Sequence, residues 1–241
     1  MPISPFGFYS FFNSQYFLYM LPAIVLTMLA QLYVKSSYKK WTQVRNHNGM
    51  TGIDAARALI RVSGLYDVRL QGVDGELSDH YDPRDKTLSL SYSVANQPSV
   101  AAIAIAAHEL GHAQQDQEGY FALKLRSAMV PAVNIGSSLG WILIIAGLLI
   151  NFSGLAWLGV MCFAAGAVFS LLTLPVELNA SARARQMLTD AGIAVTEEEH
   201  RGINAVLNAA ALTYVAALAT ALLQLLYYVS LVGGMGGRRR S

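Results

Sequence analysis

The chain has 241 residues, of which 54% are hydrophobic and only 13% are charged, whereas soluble domains carry about 25% charged residues. This composition predicts an integral membrane protein, and a net charge of +2 is too small to indicate binding to nucleic acid. The single cysteine, Cys162, excludes an intramolecular disulfide and a zinc site built from cysteines.

The first long apolar segment is residues 16–34, which carries no charged residue. It is long enough for the hydrocarbon core of a bilayer, which needs about 20 helical residues. No basic segment precedes it and no small-residue cleavage site follows it, so we interpret it as a retained anchor rather than a signal peptide. Lys35, Lys39, Lys40 and Arg45 follow at once. The positive-inside rule therefore places the next segment in the cytoplasm.

Residues 35–128 have the composition of a soluble domain that begins with a short amphipathic helix at 51–62. Alternation of polar and apolar residues then predicts three strands joined by tight turns, with strands at 66–73, 76–81 and 87–92 and turns at 74–75 and 82–85. Because strands joined by tight turns pair with their neighbours in the chain, we expect a small antiparallel sheet.

A start signal at 96–99 predicts a helix that begins near Ser99 and stops near Gly119. It contains the pattern H-E-x-x-H at residues 108–112. Two histidines four apart lie on one face of a helix and can bind one tetrahedral zinc ion, and the glutamate between them is placed to act as a general base. The alternative is a chance match to a short pattern in an ordinary helix.

No Asp, Glu, Lys, Arg or His occurs from residue 129 to 176. This length predicts two membrane spans, at about 130–150 and 155–176, which return the chain to the side that it left. Glu177 is the first charged residue afterwards, so we expect it on the same side as the two histidines, as the third ligand of a His₂Glu site with one open position. The alternative is a helix-end carboxylate paired with Arg183 or Arg185.

A fourth span is predicted at residues 214–232, although it would place the arginines at 238–240 outside the cytoplasm. We therefore divide the chain into five segments: an N-terminal anchor at 1–34, a catalytic domain at 35–128, a transmembrane hairpin at 129–176, a third-ligand helix at 177–201 and a C-terminal membrane-associated or transmembrane helix at 202–241.

Several passages of the chain, in order, resemble the YugP-type neutral zinc metallopeptidases, a bacterial membrane family. They lie at residues 64–68, 77–83, 106–113, 125–131, 174–181 and 209–216. The resemblance implies a membrane-anchored protein of the bacterial inner membrane, with Zn²⁺ as the cofactor, a lipid bilayer and a polypeptide as partners, and peptide-bond hydrolysis as the activity. Together with the apolar segments, it leads us to expect a mainly α integral membrane protein that has a zincin-like (gluzincin) α+β catalytic domain and about four transmembrane helices. The basic residues that flank the spans place the active site on the cytoplasmic side.

Within this resemblance the zinc ligands are His108, His112 and Glu177, and the general base is Glu109. In such proteases an edge strand beside the zinc helix commonly holds the substrate backbone. The alternative is that the sheet only packs against the helix and binds no substrate.

The chain departs from the family pattern after the third ligand. The family usually has Asp where Asn179 stands, and related membrane heat-shock proteases have Asp where Ser181 stands. A carboxylate that orients a zinc-bound histidine would then come from Asp79, Asp82 or Asp116.

A second electrophile usually stabilises the oxyanion in such sites. We expect His80 in this role, with Tyr81, Arg183 and Tyr214 as further candidates. The alternative for His80 is a purely structural role, as a histidine that caps the turn.

A non-catalytic membrane protein with a structural zinc site is the competing function. The enzyme is favoured because Glu109 has no role in a purely structural site.

Overall fold

The computed structural model describes residues 14–237, and side chains within residues 16–234. Over this range the chain forms seven helices and three strands. Their bounds are α1 Ser14–Thr42, α2 Gly52–Val62, β1 Arg69–Val73, β2 His80–Asp82, β3 Thr87–Ser91, α3 Tyr92–Asn96, α4 Val100–Gln117, α5 Phe121–Leu149, α6 Ser153–Asp190 and α7 Glu197–Gly237. The arginines at 238–240, which bear on the predicted topology, lie outside the described residues.

The described residues divide into two compact units. The apolar unit comprises residues 14–29, 126–173 and 214–237, and the sheet unit comprises residues 30–125 and 174–213. Both histidines of the H-E-x-x-H pattern and Glu177 belong to the sheet unit.

Long apolar helices characterise the first of these units. Among the described residues, four helices are long and apolar enough to cross a membrane, within α1, α5, α6 and α7. Many large apolar side chains of the apolar unit are exposed, such as Leu18, Ile135 and Met161, each about 70% exposed. An extended exposed apolar surface is characteristic of a region in contact with lipid or another protein.

The two predicted spans at 130–150 and 155–176 lie within α5 and α6. Asn151, with φ of +55°, turns the chain between these helices. α6 continues without interruption through Pro175 and carries Glu177 well inside the helix.

The small sheet is mixed, so the prediction of an antiparallel sheet was wrong. Its strand order is β1-β3-β2, with β1 parallel and β2 antiparallel to β3. The turn at 74–75 does not join a hairpin. Instead the chain passes from one side of β3 to the other, with φ of +100° at Gly75 and +55° at Leu77.

The burial of β3 explains why the pattern was misleading. All five residues of β3 are buried, although its alternating sequence predicts one exposed polar face. Ser89 accepts a hydrogen bond from Gln71 Nε2 at 2.8 Å, and Ser91 donates one from Oγ to Asp79 at 3.1 Å. Because its serines have partners inside the sheet unit, β3 occupies the centre, and the more exposed β1 and β2 become edge strands.

The predicted zinc helix forms as α4, in the core of the sheet unit. Ser99 caps it, accepting a hydrogen bond from the backbone N–H of Ala102 at 3.2 Å. Residues 100–104 and 106–107 are at most 2% exposed. The helix ends at Gln117, and Gly119 follows in the left-handed region with φ of +69°. This burial fixes the position of the next turns of α4, which carry the histidines.

Candidate metal centre

Three candidate ligands converge from two helices of the sheet unit. His108 and His112 lie one turn apart on α4, with ring centroids 4.9 Å apart, and Glu177 faces them from α6. Gly111 allows this approach, because a Cβ there would lie only 2.5 Å from the carbonyl oxygen of Ala180 on α6. A helix backbone can come this close only where the facing residue lacks a side chain.

The distances from Glu177 to the two histidines match the spacing of ligand atoms around a tetrahedral metal. Nε2 of His108 lies 3.3 Å and Nε2 of His112 lies 3.5 Å from Oε2 of Glu177. Metal–ligand bonds of about 2.0–2.1 Å at tetrahedral angles separate neighbouring ligand atoms by about 3.4 Å. Glu177 is 2% exposed, and a buried carboxylate facing two imidazoles is a donor set typical of zinc.

Glu109 lies beside this cluster and is tied to the edge strand β2. Its Oε2 accepts a hydrogen bond from the backbone N–H of Tyr81 at 3.1 Å. Burial raises the pKa of Glu109, while the nearby histidines oppose that change. A carboxyl group with a raised pKa next to a metal site is suited to accept and return a proton near neutral pH.

Each candidate histidine ligand has a hydrogen-bonding partner on its other ring nitrogen. Nδ1 of His108 lies 3.2 Å from Oγ of Ser181, and Nδ1 of His112 lies 3.0 Å from Oε1 of Gln115. Contacts of this kind orient metal-binding imidazoles.

The three aspartates considered for this role are engaged elsewhere. Asp79 accepts hydrogen bonds from the backbone N–H and the hydroxyl of Ser91, Asp82 pairs with Arg84, and Asp116 accepts from the hydroxyl of Tyr81 at 3.0 Å. The expected carboxylate is therefore replaced by an amide and a hydroxyl.

The candidate oxyanion stabilisers have different surroundings. His80 is exposed on β2, and its Nδ1 lies 2.8 Å from the carbonyl oxygen of Ser78. A carbonyl only accepts hydrogen bonds, so Nδ1 carries the proton, and Nε2 can donate only when the ring is protonated. The role of His80 as an oxyanion stabiliser stays a prediction, and it requires a protonated ring if Nε2 is to donate.

The other candidates have partners or lie elsewhere. Arg183 forms two hydrogen bonds with the carboxylate of Glu118, at 2.6 and 2.7 Å. The hydroxyl of Tyr81 donates to Asp116, and burial raises the pKa of this tyrosine. Tyr214 falls in the apolar unit.

The structure adds two functional candidates to which the sequence analysis gave no role, Gln115 and Ser181. The signal for Gln115 was available in the sequence, because it follows His112 by three positions in a helix whose earlier part is apolar. Residues three apart on a helix are neighbours, so a polar side chain at this spacing can reach the imidazole.

Comparisons with known proteins agree with this geometry. The family described as "putative neutral zinc metallopeptidase" matches residues 16–233 of the chain. The chain is similar to the "putative membrane protease YugP" of Bacillus subtilis (strain 168), with 44% identity over 207 residues, which cover 86% of this chain and 92% of that protein. No solved structure matches the chain.

Proposed function

The chain belongs to the family of neutral zinc metallopeptidases, and we propose on this basis that it is a membrane-anchored endopeptidase that hydrolyses peptide bonds in polypeptide substrates. Family membership implies Zn²⁺ as the cofactor. The observation that supports the proposal most directly is that ligand atoms of three residues lie within 4.8 Å of one another. The carboxyl group of Glu109 lies beside them and is not one of the three candidate ligands.

We assign the ligands as His108, His112 and Glu177, which makes the site a His₂Glu site of the gluzincin type. When bound, zinc supplies a Lewis acid that lowers the pKa of a coordinated water and polarises the scissile carbonyl. Three protein ligands would leave one coordination position open for that water, as in catalytic zinc sites.

Glu109 is assigned as the general base. The backbone N–H of Tyr81 holds its Oε2, and Oε1 is the oxygen that accepts the proton from the attacking water. The protonated carboxyl then returns this proton to the amine of the leaving group, so that the residue ends the cycle as it began.

β2 is assigned as the substrate-binding strand. It pairs with β3 on one side only, and the N–H of Tyr81 points to Glu109 rather than to β3. An extended polypeptide laid along this other side of β2, where the N–H of Tyr81 is already bonded to Glu109, would therefore pass close to the general base. His80 lies on the same strand and is kept as the proposed oxyanion stabiliser.

The location follows from the distribution of charge and apolar surface. We assign the chain to the bacterial inner membrane, with the segments 1–34, 129–176 and 202–241 as its membrane-associated parts. The segments 35–128 and 177–201 would form the catalytic body. Basic residues flank the first span and the hairpin, at 35, 39, 40, 124, 126, 183 and 185, which favours a cytoplasmic site.

Paired substitutions separate this function from a structural zinc site. Glu109→Gln should retain about one zinc per chain and lose peptide hydrolysis, because the ligands are intact and the base is absent. Glu177→Ala should lose most of the zinc, because two histidines alone leave the coordination incomplete. The measurements are zinc content of the detergent-purified chain and cleavage of an unfolded protein such as casein.

Two outcomes would contradict the proposal. Full zinc retention by Glu177→Ala would remove this residue from the ligand set. Hydrolysis by Glu109→Gln at the rate of the unmodified chain would remove Glu109 from the chemistry.

A further inference from the structure

Gln115 is a fully buried polar residue, 0% exposed, near the end of α4. Its Nε2 donates to the carbonyl oxygen of Val176 at 2.8 Å and to Oδ1 of Asn179 at 2.9 Å, both on α6. Its Oε1 lies 3.0 Å from Nδ1 of His112. Both N–H groups and the oxygen of the amide therefore have partners, which is the condition for burying such a group at low cost.

The orientation of this amide is fixed by its partners. The carbonyl oxygen of Val176 can only accept a hydrogen bond, so the NH₂ end of Gln115 must face α6 and its oxygen must face His112. Asn179 is fixed in the same way. The guanidinium of Arg183 only donates, and its Nε contacts Oδ1 of Asn179 at 2.8 Å, so that end of Asn179 is the oxygen that also accepts from Gln115.

The fixed orientation of the Gln115 amide determines which ring nitrogen of neutral His112 carries the hydrogen. Oε1 of Gln115 only accepts, so Nδ1 of the neutral imidazole must carry the hydrogen, and the lone pair stays on Nε2, the atom that faces Glu177. His108 lacks such a constraint, because the hydroxyl of Ser181 can donate or accept. The two histidines are thus positioned by different chemistry.

We propose that Gln115 is a positioning residue that holds His112 in the Nδ1–H tautomer and couples it to the turn of α6 that bears Glu177. Val176 and Asn179 lie on either side of Glu177 in the chain. The side chain of Gln115 therefore orients the ring of His112 and also sets the distance between that ring and Glu177. This inference rests on the proposed zinc site. It predicts that a residue which never touches the metal controls how tightly the metal is held.

The test compares Gln115→Met with Gln117→Met in the full-length chain purified in detergent. Methionine keeps the length of glutamine without its hydrogen bonds. Gln117 is a matched control, since it lies on the same helix and donates only to the carbonyl oxygen of Gly64, at 3.1 Å on the surface. Zinc dissociation constants are measured by competition with a chelator. We expect Gln115→Met to weaken zinc binding about 10- to 100-fold, as is usual for partners of metal ligands, and Gln117→Met to leave it unchanged.

The tautomer is measured directly by long-range ¹H–¹⁵N correlation spectra of the metal-free chain labelled with [¹⁵N]histidine, at alkaline pH. The chain has five histidines, and comparison with His112→Ala assigns the ring of interest. We expect the hydrogen on Nδ1 in the unmodified chain and a mixture of tautomers in Gln115→Met. A mere loss of stability would not change this signal in folded molecules.

Failure of the inference can be told apart from failure of the proposed function. An unmodified chain that binds no zinc contradicts the proposed function. Zinc binding by Gln115→Met equal to that of the unmodified chain overturns the role of Gln115 alone. If Gln115→Met does not fold, the unmodified chain still decides, because a hydrogen on Nε2 of His112 overturns the proposal.

Discussion

The two compact units use their polar side chains in different ways. In the sheet unit these groups join separate elements, as Gln115 does with Asn179 and as Ser181 does with His108. In the apolar unit several hydroxyls bond within their own helix, although Thr27 and Thr220 contact each other across two helices at 3.2 Å. Ser170 and Ser138 each donate to the carbonyl oxygen four residues earlier, at 3.0 and 3.2 Å.

This difference shows which side chains fix the distances between helices. A hydroxyl that bonds to its own helix has its hydrogen bond wherever that helix lies, which suits a segment surrounded by lipid. A side chain that bonds to another helix keeps its hydrogen bond only when the two helices are at the right distance. The position of the candidate ligands therefore depends on polar contacts in the sheet unit, whereas the bonds of Ser170 and Ser138 do not fix the position of their helices.

The largest effect should come from adding one methyl group to a glycine in each unit. At Gly111 the new Cβ would lie 2.5 Å from a backbone oxygen of α6, whereas at Gly166 it would meet nothing within 4 Å. Overpacking costs about 1–3 kcal/mol, and the better helix propensity of alanine returns about 1 kcal/mol. Gly111→Ala should therefore destabilise the chain and weaken zinc binding, and Gly166→Ala should stabilise it slightly.

Thermal unfolding of the two glycine variants in detergent, with and without zinc, measures this contrast. Equal midpoints for both variants would contradict the close approach of α4 and α6.

An intermediate effect is expected for serine substitutions on α6. Ser181→Ala removes the partner of His108 Nδ1, while Ser170→Ala removes a bond within the helix. One neutral hydrogen bond is worth about 0.5–1.5 kcal/mol, which corresponds to roughly two- to tenfold in zinc affinity. Ser170→Ala should leave zinc affinity unchanged. Chelator competition checks both variants, and an equal loss in the two would show that the contact with His108 contributes nothing specific.

The smallest effect concerns the ion pair between Glu118 and Arg183. The guanidinium of Arg183 lowers the pKa of Glu118 from its ordinary value of 4.5. The lowered pKa means that the pair stabilises the folded chain above about pH 4.5, and that this contribution is lost as the pH falls through the folded-state pKa. Glu118 is half exposed, so screening limits the contribution to about 0.5 kcal/mol.

Glu118→Gln should lower the unfolding midpoint slightly at neutral pH and should not change it near pH 3. The exposed pair of Asp67 and Lys86 provides the control, because Asp67→Asn should produce no measurable change at either pH. A loss for Glu118→Gln that persists at low pH would mean that the contact is not electrostatic.

Much of the candidate site follows from short-range patterns. The spacing of His108 and His112 fixes their common face once α4 is helical, and the capping residue and apolar run of α4 are both visible in the sequence. Glu177 could be inferred because two spans return the chain to one side. These inferences need only helix geometry and the thickness of a bilayer.

The remaining features depend on contacts between distant residues. The prediction of an antiparallel sheet was wrong, because β3 lies at the centre of the sheet and pairs in parallel with β1. Its serines are buried and have partners in Gln71 and Asp79, so the alternation of polar residues did not mark an exposed face. For Gln115 the sequence indicates only one of its contacts, the one with His112 three positions earlier. Its other partners are carbonyl and amide oxygens of α6, which no local pattern indicates.

The order of the ligands along the chain has a consequence for biosynthesis. His108 and His112 lie before α5, and Glu177 lies after it. A ribosome adds about 5–20 residues per second, so the nascent chain carries only two of the three candidate ligands for several seconds while α5 and the first part of α6 are being made. The proposed centre can form only after α5 and the part of α6 up to Glu177 have been synthesised. If the chain is the protease proposed above, the nascent protein has no complete centre with which to cleave itself during that time.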